Sequence, residues 1–99
     1  MMRSISVVVF LSLAVPAHAW CWRAAGARYG IDPRLLWSIA KVESGMDPQA
    51  INRNTDGSID IGLMQINSRH LAELGYSQQT LIENPCASVM AGAWVLGGM

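Results

Sequence analysis

The sequence has no excess of charge of either sign. Seven Lys and Arg residues are balanced by seven Asp and Glu residues among 99, and no run of basic residues occurs. Proteins that bind nucleic acids need clustered positive charge to neutralise phosphates. The composition therefore argues against a nucleic-acid partner.

Metal-ligating residues are also scarce. The chain has two cysteines without a Cys-x-x-Cys pair and two histidines, His18 and His70. This spacing favours neither zinc nor haem, so we predict no metal and no cofactor. The stretch from Asn52 to Asp60 imitates the first nine positions of an EF-hand calcium loop. The twelfth position is Leu63, where a bidentate Glu is needed, which disfavours calcium.

A long apolar run occurs only near the N-terminus. Ile5 to Val15 is apolar apart from two serines, Arg3 precedes it, and Ala17-His18-Ala19 has the small-x-small pattern of a cleavage site. The run is shorter than the ~20 residues that a membrane-spanning helix needs. We predict that residues 1–19 are a signal peptide and that the protein is exported to the periplasm.

The remaining chain, residues 20–99, has room for one small domain, near the lower limit for a self-sufficient core. It contains no repeat, linker or low-complexity segment. In an oxidising compartment two cysteines usually pair, so a disulfide between Cys21 and Cys86 is expected. On the chain-entropy model, closing so long a loop stabilises the fold by about 4 kcal/mol.

Helix start and stop residues predict a mainly helical domain. A first helix spans about 22–29 and ends at Gly30, and a second runs from Pro33 to Glu43 or Ser44 with Asp32 as its N-cap. Further helices are predicted at 68–74, at 78–82 and from Asn84-Pro85 onwards. The last helix reaches the end of the sequence without a packing partner for its apolar residues, so we expect a chain that is incomplete at its C-terminus.

The section between these helices is polar and rich in glycine. Residues 52–67 predict a loop or short β-hairpin with a tight turn at Asp56-Gly57. The extended pieces on either side of the turn are expected to end in Leu63-Met64-Gln65-Ile66.

Glu43 is the first candidate for chemistry. Leu36, Ile39, Ala40 and Glu43 recur at three- and four-residue steps, so Glu43 is expected to continue the stripe that faces the core. Burial raises the pKa of a carboxyl group, and a protonated acid is what cleavage of a glycosidic bond requires. A partly exposed Glu that caps a neighbouring loop is the plainer alternative.

Two motifs carry a family resemblance. Val42-Glu43-Ser44-Gly45, followed by the stretch from Asn54 to Ser68 with Gly62-Leu63-Met64-Gln65-Ile66-Asn67, resembles the catalytic domain of lytic transglycosylases. The small exported transglycosylases of type III and type IV secretion, conjugation and pilus systems begin with a Cys-Trp pair and a Tyr-Gly pair. This sequence is similar, with Cys21-Trp22 and Tyr29-Gly30. The resemblance extends from Trp20 to about Leu96. It implies a lysozyme-like α+β fold, which in the family continues with further helices, including a Tyr-Asn pair that closes the groove.

The resemblance also implies site residues. Glu43 would be the catalytic acid and base. Substrate-binding roles would fall to Ser44, Gly62, Met64, Gln65 and Asn67. Plainer explanations exist for several of them: Met64 fills the core, Gly62 satisfies a turn, and Asn67 caps the next helix.

The implied reaction is non-hydrolytic cleavage of the β-1,4 bond between N-acetylmuramic acid and N-acetylglucosamine in peptidoglycan, with formation of a 1,6-anhydro ring. One carboxylate suffices for this chemistry, whereas ordinary glycosidases use two. Asp60 is the candidate second carboxylate and would make the protein a lysozyme-type hydrolase. Asp56 is more simply a turn residue.

The expected partners are peptidoglycan glycan strands and components of a secretion, conjugation or pilus apparatus. A non-catalytic peptidoglycan-binding assembly factor is the alternative from another functional class. Among exposed side chains, Trp37 is expected to reach the groove. Arg53 and Arg69 are candidates for contacts with peptide carboxylates, with solvated surface as the alternative.

Overall fold

The computed structural model describes residues 20–97. The predicted signal peptide, residues 1–19, lies outside the described residues. Two helices open the fold: α1 spans Trp22–Tyr29 and α2 spans Pro33–Ser44. The Asp32 carboxylate accepts a hydrogen bond from the Arg34 backbone N–H at 2.9 Å, so α2 has the N-cap predicted for it.

A small antiparallel sheet follows α2. Its strands are β1 (Ile51–Arg53), β2 (Ile59–Ile61) and β3 (Ile66–Asn67), in the order β1-β2-β3. The register places Asn52 opposite Asp60, and Asp60 opposite Asn67. The loop or hairpin predicted here is therefore a three-stranded sheet, and its third strand begins only at Ile66.

The turn between β1 and β2 is held by Asp56. Ser58 donates its backbone N–H and its hydroxyl to Asp56 Oδ1, at 2.9 and 2.6 Å. These hydrogen bonds, the hydroxyl's first, hold the pKa of the Asp56 carboxyl below its usual range. Asp56 is thus the turn residue that its position before Gly57 predicted.

The segment between β2 and β3 is a turn and not a strand. Gly62 and Gln65 have left-handed backbone conformations, with φ of 75° and 53°, and the Gln65 N–H donates to the Gly62 carbonyl at 3.1 Å. The prediction that Leu63-Met64-Gln65 is extended is wrong, because these backbone angles reverse the chain before β3. We call residues 62–65 the central turn.

The C-terminal half is helical, as predicted. A 3-10 turn at Ser68–His70 leads into α3 (Leu71–Leu74), followed by α4 (Gln78–Glu83) and α5 (Pro85–Gly97). The mainly helical α+β fold expected from the sequence is confirmed. Within residues 20–97, no helix combines the length and apolar character needed to cross a membrane.

Helix α5 is the centre of the core. It is apolar on all its faces, which is typical of a helix that other elements surround. It packs against α1, α2, α4 and β3. The largest fully buried side chains are Leu36, Ile61, Leu63, Leu81, Val89 and Ser88. The Ser88 hydroxyl is satisfied because it accepts the Met64 backbone N–H at 3.1 Å.

A disulfide joins Cys21 to Cys86, with 5.4 Å between their Cα atoms. It connects the residue before α1 with the start of α5, across a sequence separation of 65. This is the pairing expected from the sequence, and it reinforces the packing of α1 against α5.

Replacing both cysteines, Cys21→Ser with Cys86→Ser, should lower the free energy of unfolding by about 4 kcal/mol, because the unfolded chain regains the entropy that the long closed loop removes. Urea unfolding followed by circular dichroism measures the change. The unmodified protein should shift similarly when a reductant is added, and the double variant should not respond to it. An unfolding midpoint that is the same in all four samples contradicts the prediction.

Candidate active site

An open groove of about 250 Å³ lies between the end of α2, the central turn with β3, and one side of α5. The residues that line it are Ile39, Glu43, Met64, Gln65, Ile66, Asn67, Arg69, His70, Gly92, Val95 and Leu96. Four of the residues predicted for the site are among them: Glu43, Met64, Gln65 and Asn67. Ser44, Gly62 and Asp60 lie outside the lining.

Glu43 is exposed, so the prediction that it is buried with the core stripe is wrong. Leu36 and Ala40 on that stripe are fully buried and Ile39 is half-buried. The core ends before the last turn of α2, and the groove opens there. The Glu43 carboxylate makes no hydrogen bond or ion pair with any residue between 20 and 97, so it is free to meet a ligand.

The wall beside Glu43 is apolar and closely packed. Met64 is only 6% exposed and lies against α5 at Gly92. A Cβ atom at position 92 would lie 2.7 Å from the flexible Cε of Met64 and 3.0 Å from both its Cβ and its Cγ, a tighter fit than nearly all real Cβ contacts. Glycine at position 92 therefore permits the approach of α5 that shapes the groove.

Ser44 connects α2 to the central turn. Its hydroxyl lies 2.7 Å from the Leu63 carbonyl and 3.0 Å from the Ala40 carbonyl, and it accepts the Asp47 backbone N–H at 3.2 Å. The single hydroxyl proton goes to one carbonyl at a time, and the shorter distance favours Leu63. Ser44 thus holds the turn that carries Met64 against the helix end that carries Glu43.

Gly62 is buried at the start of the central turn. Its φ of 75° is the left-handed conformation that glycine adopts without strain, and a Cβ atom there would lie 2.9 Å from the Leu81 carbonyl oxygen. Its N–H donates to the Ala50 carbonyl at 2.7 Å. Position 62 therefore fits the plainer explanation, a backbone turn.

The two amide side chains of the groove are engaged within the protein. Gln65 donates to the carbonyls of Gly62 and Ala50, at 3.0 and 3.2 Å, and accepts from Asn52 at 2.7 Å. Asn67 caps the next helical segment by accepting the Arg69 N–H at 3.0 Å. Both side chains therefore shape the groove wall through the sheet and the turn.

Asp60 is half-buried on β2, behind Asn67. Asn67 Nδ2 donates to Asp60 Oδ1 at 3.0 Å and approaches the Ser58 hydroxyl at 3.1 Å. Asp60 is therefore separated from the groove by one amide side chain. A catalytic role for Asp60 stays a prediction.

Six lining residues were not predicted for the site: Ile39, Ile66, His70, Gly92, Val95 and Leu96. Of these, Gly92 could have been predicted from the sequence, since a glycine inside an apolar helix indicates close packing. Arg69, which also lines the groove, was predicted only as a candidate for contacts with peptide carboxylates. His70 makes an edge contact with Trp94, with 6.2 Å between the ring centroids and 82° between the planes. Trp37 does not line the groove, contrary to expectation, and the Lys41 ammonium lies 5.3 Å from its ring centroid.

A larger cavity of about 530 Å³ lies on the opposite side of α5, lined by residues that include Glu73, Tyr76 and Trp94. None of the predicted site residues lines it. No cluster of three potential metal-ligating side chains is found within residues 20–97. The groove that contains Glu43 is therefore the candidate active site, although it is the smaller cavity.

The fold and this groove define a lysozyme-like domain with one carboxylate at the end of its second helix. The family model of the transglycosylase SLT domain matches residues 20–99. The chain belongs to this family.

Several curated proteins are similar in sequence. Invasion protein IagB of Salmonella typhimurium is 45% identical over 96 residues, covering 94% of this chain and 60% of the relative. Protein IpgF of Shigella flexneri is 47% identical over 94 residues, covering 89% and 62%. A putative peptidoglycan-binding-like protein of Escherichia coli K12 is 32% identical over 98 residues, covering 89% and 62%. The chain thus spans about three fifths of the length of these relatives.

Replacing Ser44 with alanine should lower the free energy of unfolding by about 1–2 kcal/mol, because the buried Leu63 carbonyl loses its hydroxyl donor. Ser38→Ala is the matched control. The Ser38 hydroxyl is exposed and bonds only to the Arg34 carbonyl of its own helix, so its loss should change stability by less than about 0.5 kcal/mol. Urea unfolding of both variants tests this, and equal effects would count against the connecting role of Ser44.

Proposed function

We propose that this chain is the catalytic domain of a peptidoglycan lytic transglycosylase. It cleaves the β-1,4 bond between N-acetylmuramic acid and N-acetylglucosamine and forms a 1,6-anhydro-muramic product. The observation that supports this proposal best is that Glu43 is the one carboxylate among the groove-lining residues. A hydrolase of the usual kind needs two carboxylates flanking the scissile bond.

In the first step, the protonated Glu43 donates its proton to the glycosidic oxygen, and the bond from that oxygen to the muramic C1 breaks. The C6 hydroxyl of the same muramic residue then bonds to C1 and gives its proton to the Glu43 carboxylate. The new C6–O–C1 bond closes the anhydro ring, and Glu43 returns to its protonated state. No water is consumed.

The surroundings of Glu43 suit both steps. Ile39, Met64 and Ile66 form an apolar wall, so a bound glycan would exclude water from the carboxyl group. Exclusion of water also keeps a water molecule from attacking the muramic C1 in place of the C6 hydroxyl. Met64 and Ile66 are the buried residues of this wall, which keeps it rigid.

A lysozyme-type hydrolase is the second candidate reaction, with Asp60 as base for an attacking water. It is favoured by the hydrogen bond that connects Asp60 to the groove-lining Asn67. A non-catalytic peptidoglycan-binding assembly factor is the third candidate. The name of the K12 relative, a putative peptidoglycan-binding-like protein, supports it.

We also propose that residues 1–19 are a signal peptide and that residues 20–99 act in the periplasm, where an oxidising environment preserves the Cys21–Cys86 disulfide. There the domain would open the cell wall locally during assembly of a secretion, conjugation or pilus apparatus. The similarity of this chain to invasion protein IagB supports such a role.

Glu43→Gln should reduce the formation of anhydro-muropeptides by about 10²- to 10⁴-fold, because the amide can neither donate nor accept the catalytic proton. The measurement is mass spectrometry of soluble products after the protein acts on peptidoglycan sacculi. Glu73→Gln is the matched control. It removes the same charge from the other cavity and should leave the yield unchanged.

The products distinguish the three candidate functions. Anhydro-muropeptides that require Glu43 support the transglycosylase. Reducing-end products that take up ¹⁸O from labelled water would replace it with the hydrolase. A folded protein that binds sacculi and releases no product would support the non-catalytic binding function instead.

Asp60→Asn should change the rate of anhydro-product formation by less than about tenfold, since the substitution weakens one hydrogen bond to Asn67 and removes no group of the proposed mechanism. Initial rates on sacculi, compared with those of Glu43→Gln, test this. A loss as deep as that of Glu43→Gln would assign Asp60 a direct part in the chemistry.

A further inference from the structure

Arg69 is an exposed cation at the wall of the groove. It lies in the 3-10 turn that follows β3, and its backbone N–H donates to Asn67 Oδ1 at 3.0 Å. Its neighbour His70 is half-buried and packs against Trp94 of α5. The backbone that carries Arg69 is therefore fixed on both sides, at a defined place beside the groove.

The guanidinium of Arg69 has no partner among residues 20–97. The one ion pair within 4.0 Å in this part of the chain joins Arg34 to Asp32. Arg69 makes a minor contribution to the lowered pKa of Asp56, after the hydrogen bonds from Ser58, so the two charges interact only at longer range. The N–H donors of Arg69 thus remain available to a ligand.

The sugar backbone of peptidoglycan offers no anion to this cation, because its acetamido and hydroxyl groups are neutral and the muramic lactyl carboxyl forms the amide bond to the peptide. The peptide attached to the muramic lactyl group does carry carboxylates. It leaves the glycan at the sugar whose bond Glu43 would cleave, so a bound strand brings these carboxylates to the groove wall. A guanidinium matches a carboxylate with two parallel hydrogen bonds.

We propose that Arg69 is a specificity-determining residue, which binds a carboxylate of the peptide on the muramic residue and thereby selects peptide-substituted glycan over bare glycan. This proposal rests on the proposed function, since it names the part of the substrate that the same groove recognises. Arg53 provides the comparison. It is exposed on β1 and does not line the groove.

The test compares Arg69→Gln with Arg53→Gln on two substrates. One is glycan strands with intact peptides, and the other is the same strands after an amidase has removed the peptides and the lactyl carboxylates so freed have been capped as methylamides. Arg69→Gln should raise KM about tenfold on the peptide-bearing strands and leave kcat unchanged, because a charge-assisted hydrogen bond to the peptide is lost. On stripped strands, Arg69→Gln should match the unmodified protein. Arg53→Gln should match it on both substrates.

Equal increases in KM on both substrates would overturn the proposal, because they would indicate a general effect on the groove. Equal effects of the two arginine substitutions would overturn it as well, by showing a dependence on net charge alone.

Binding measurements separate this proposal from the proposed reaction. Calorimetric titration of Glu43→Gln, with and without Arg69→Gln, measures affinity for both kinds of strand without turnover. If the unmodified protein yields no anhydro product and Arg69→Gln still weakens binding of peptide-bearing strands alone, the reaction fails and the specificity role stands. If the double variant binds both strands as Glu43→Gln does, or if Glu43→Gln binds neither strand, the specificity role is overturned.

Discussion

The groove depends on the attachment of the central turn to two helices. Ser44 at the end of α2 bonds to the Leu63 carbonyl, and Ser88 on α5 accepts the Met64 N–H. The first contact sets the distance between the turn and the helix end that carries Glu43, and the second sets its distance from α5. Gly92 completes the arrangement by letting Met64 fill the space beside α5. The hydroxyl groups of Ser44 and Ser88, together with the lack of a side chain at Gly92, thus determine where the apolar wall lies relative to the Glu43 carboxylate.

The polar side chains of the groove divide into two kinds. Gln65 and Asn67 form hydrogen bonds within the protein, to the central turn, the sheet and the next helical segment. Glu43 and Arg69 have no hydrogen-bonded side-chain partner among the described residues. Because the amides are already satisfied, they cost little to keep beside an apolar wall. The two charged groups, in contrast, can exchange water for a ligand. The proposed site is therefore chemically simple, with one group for proton transfer and one for recognition.

The helices could be predicted from the sequence because their ends carry local signals, such as Asp32 as N-cap and Gly30 and Gly45 as C-caps. The exposure of Glu43 could not, because helical periodicity shows which face points inward but not where the core ends along the helix. The central turn was misread because Leu63 and Met64 are apolar, and their backbone direction follows from Gly62 and from contacts with α5. The groove face of α5 was missed because a helix that is apolar all round gives no directional pattern.

The disulfide has a consequence for the integrity of the domain. It closes a covalent ring that runs from Cys21 to Cys86 and contains Glu43, the sheet, the central turn and Arg69. The most exposed stretch of that ring is the turn around Asp56-Gly57. A protease that cuts this turn once opens the ring without releasing either piece, because the sulfur bridge still joins α1 to α5. A nicked molecule would therefore remain a single covalent unit for as long as its surroundings stay oxidising.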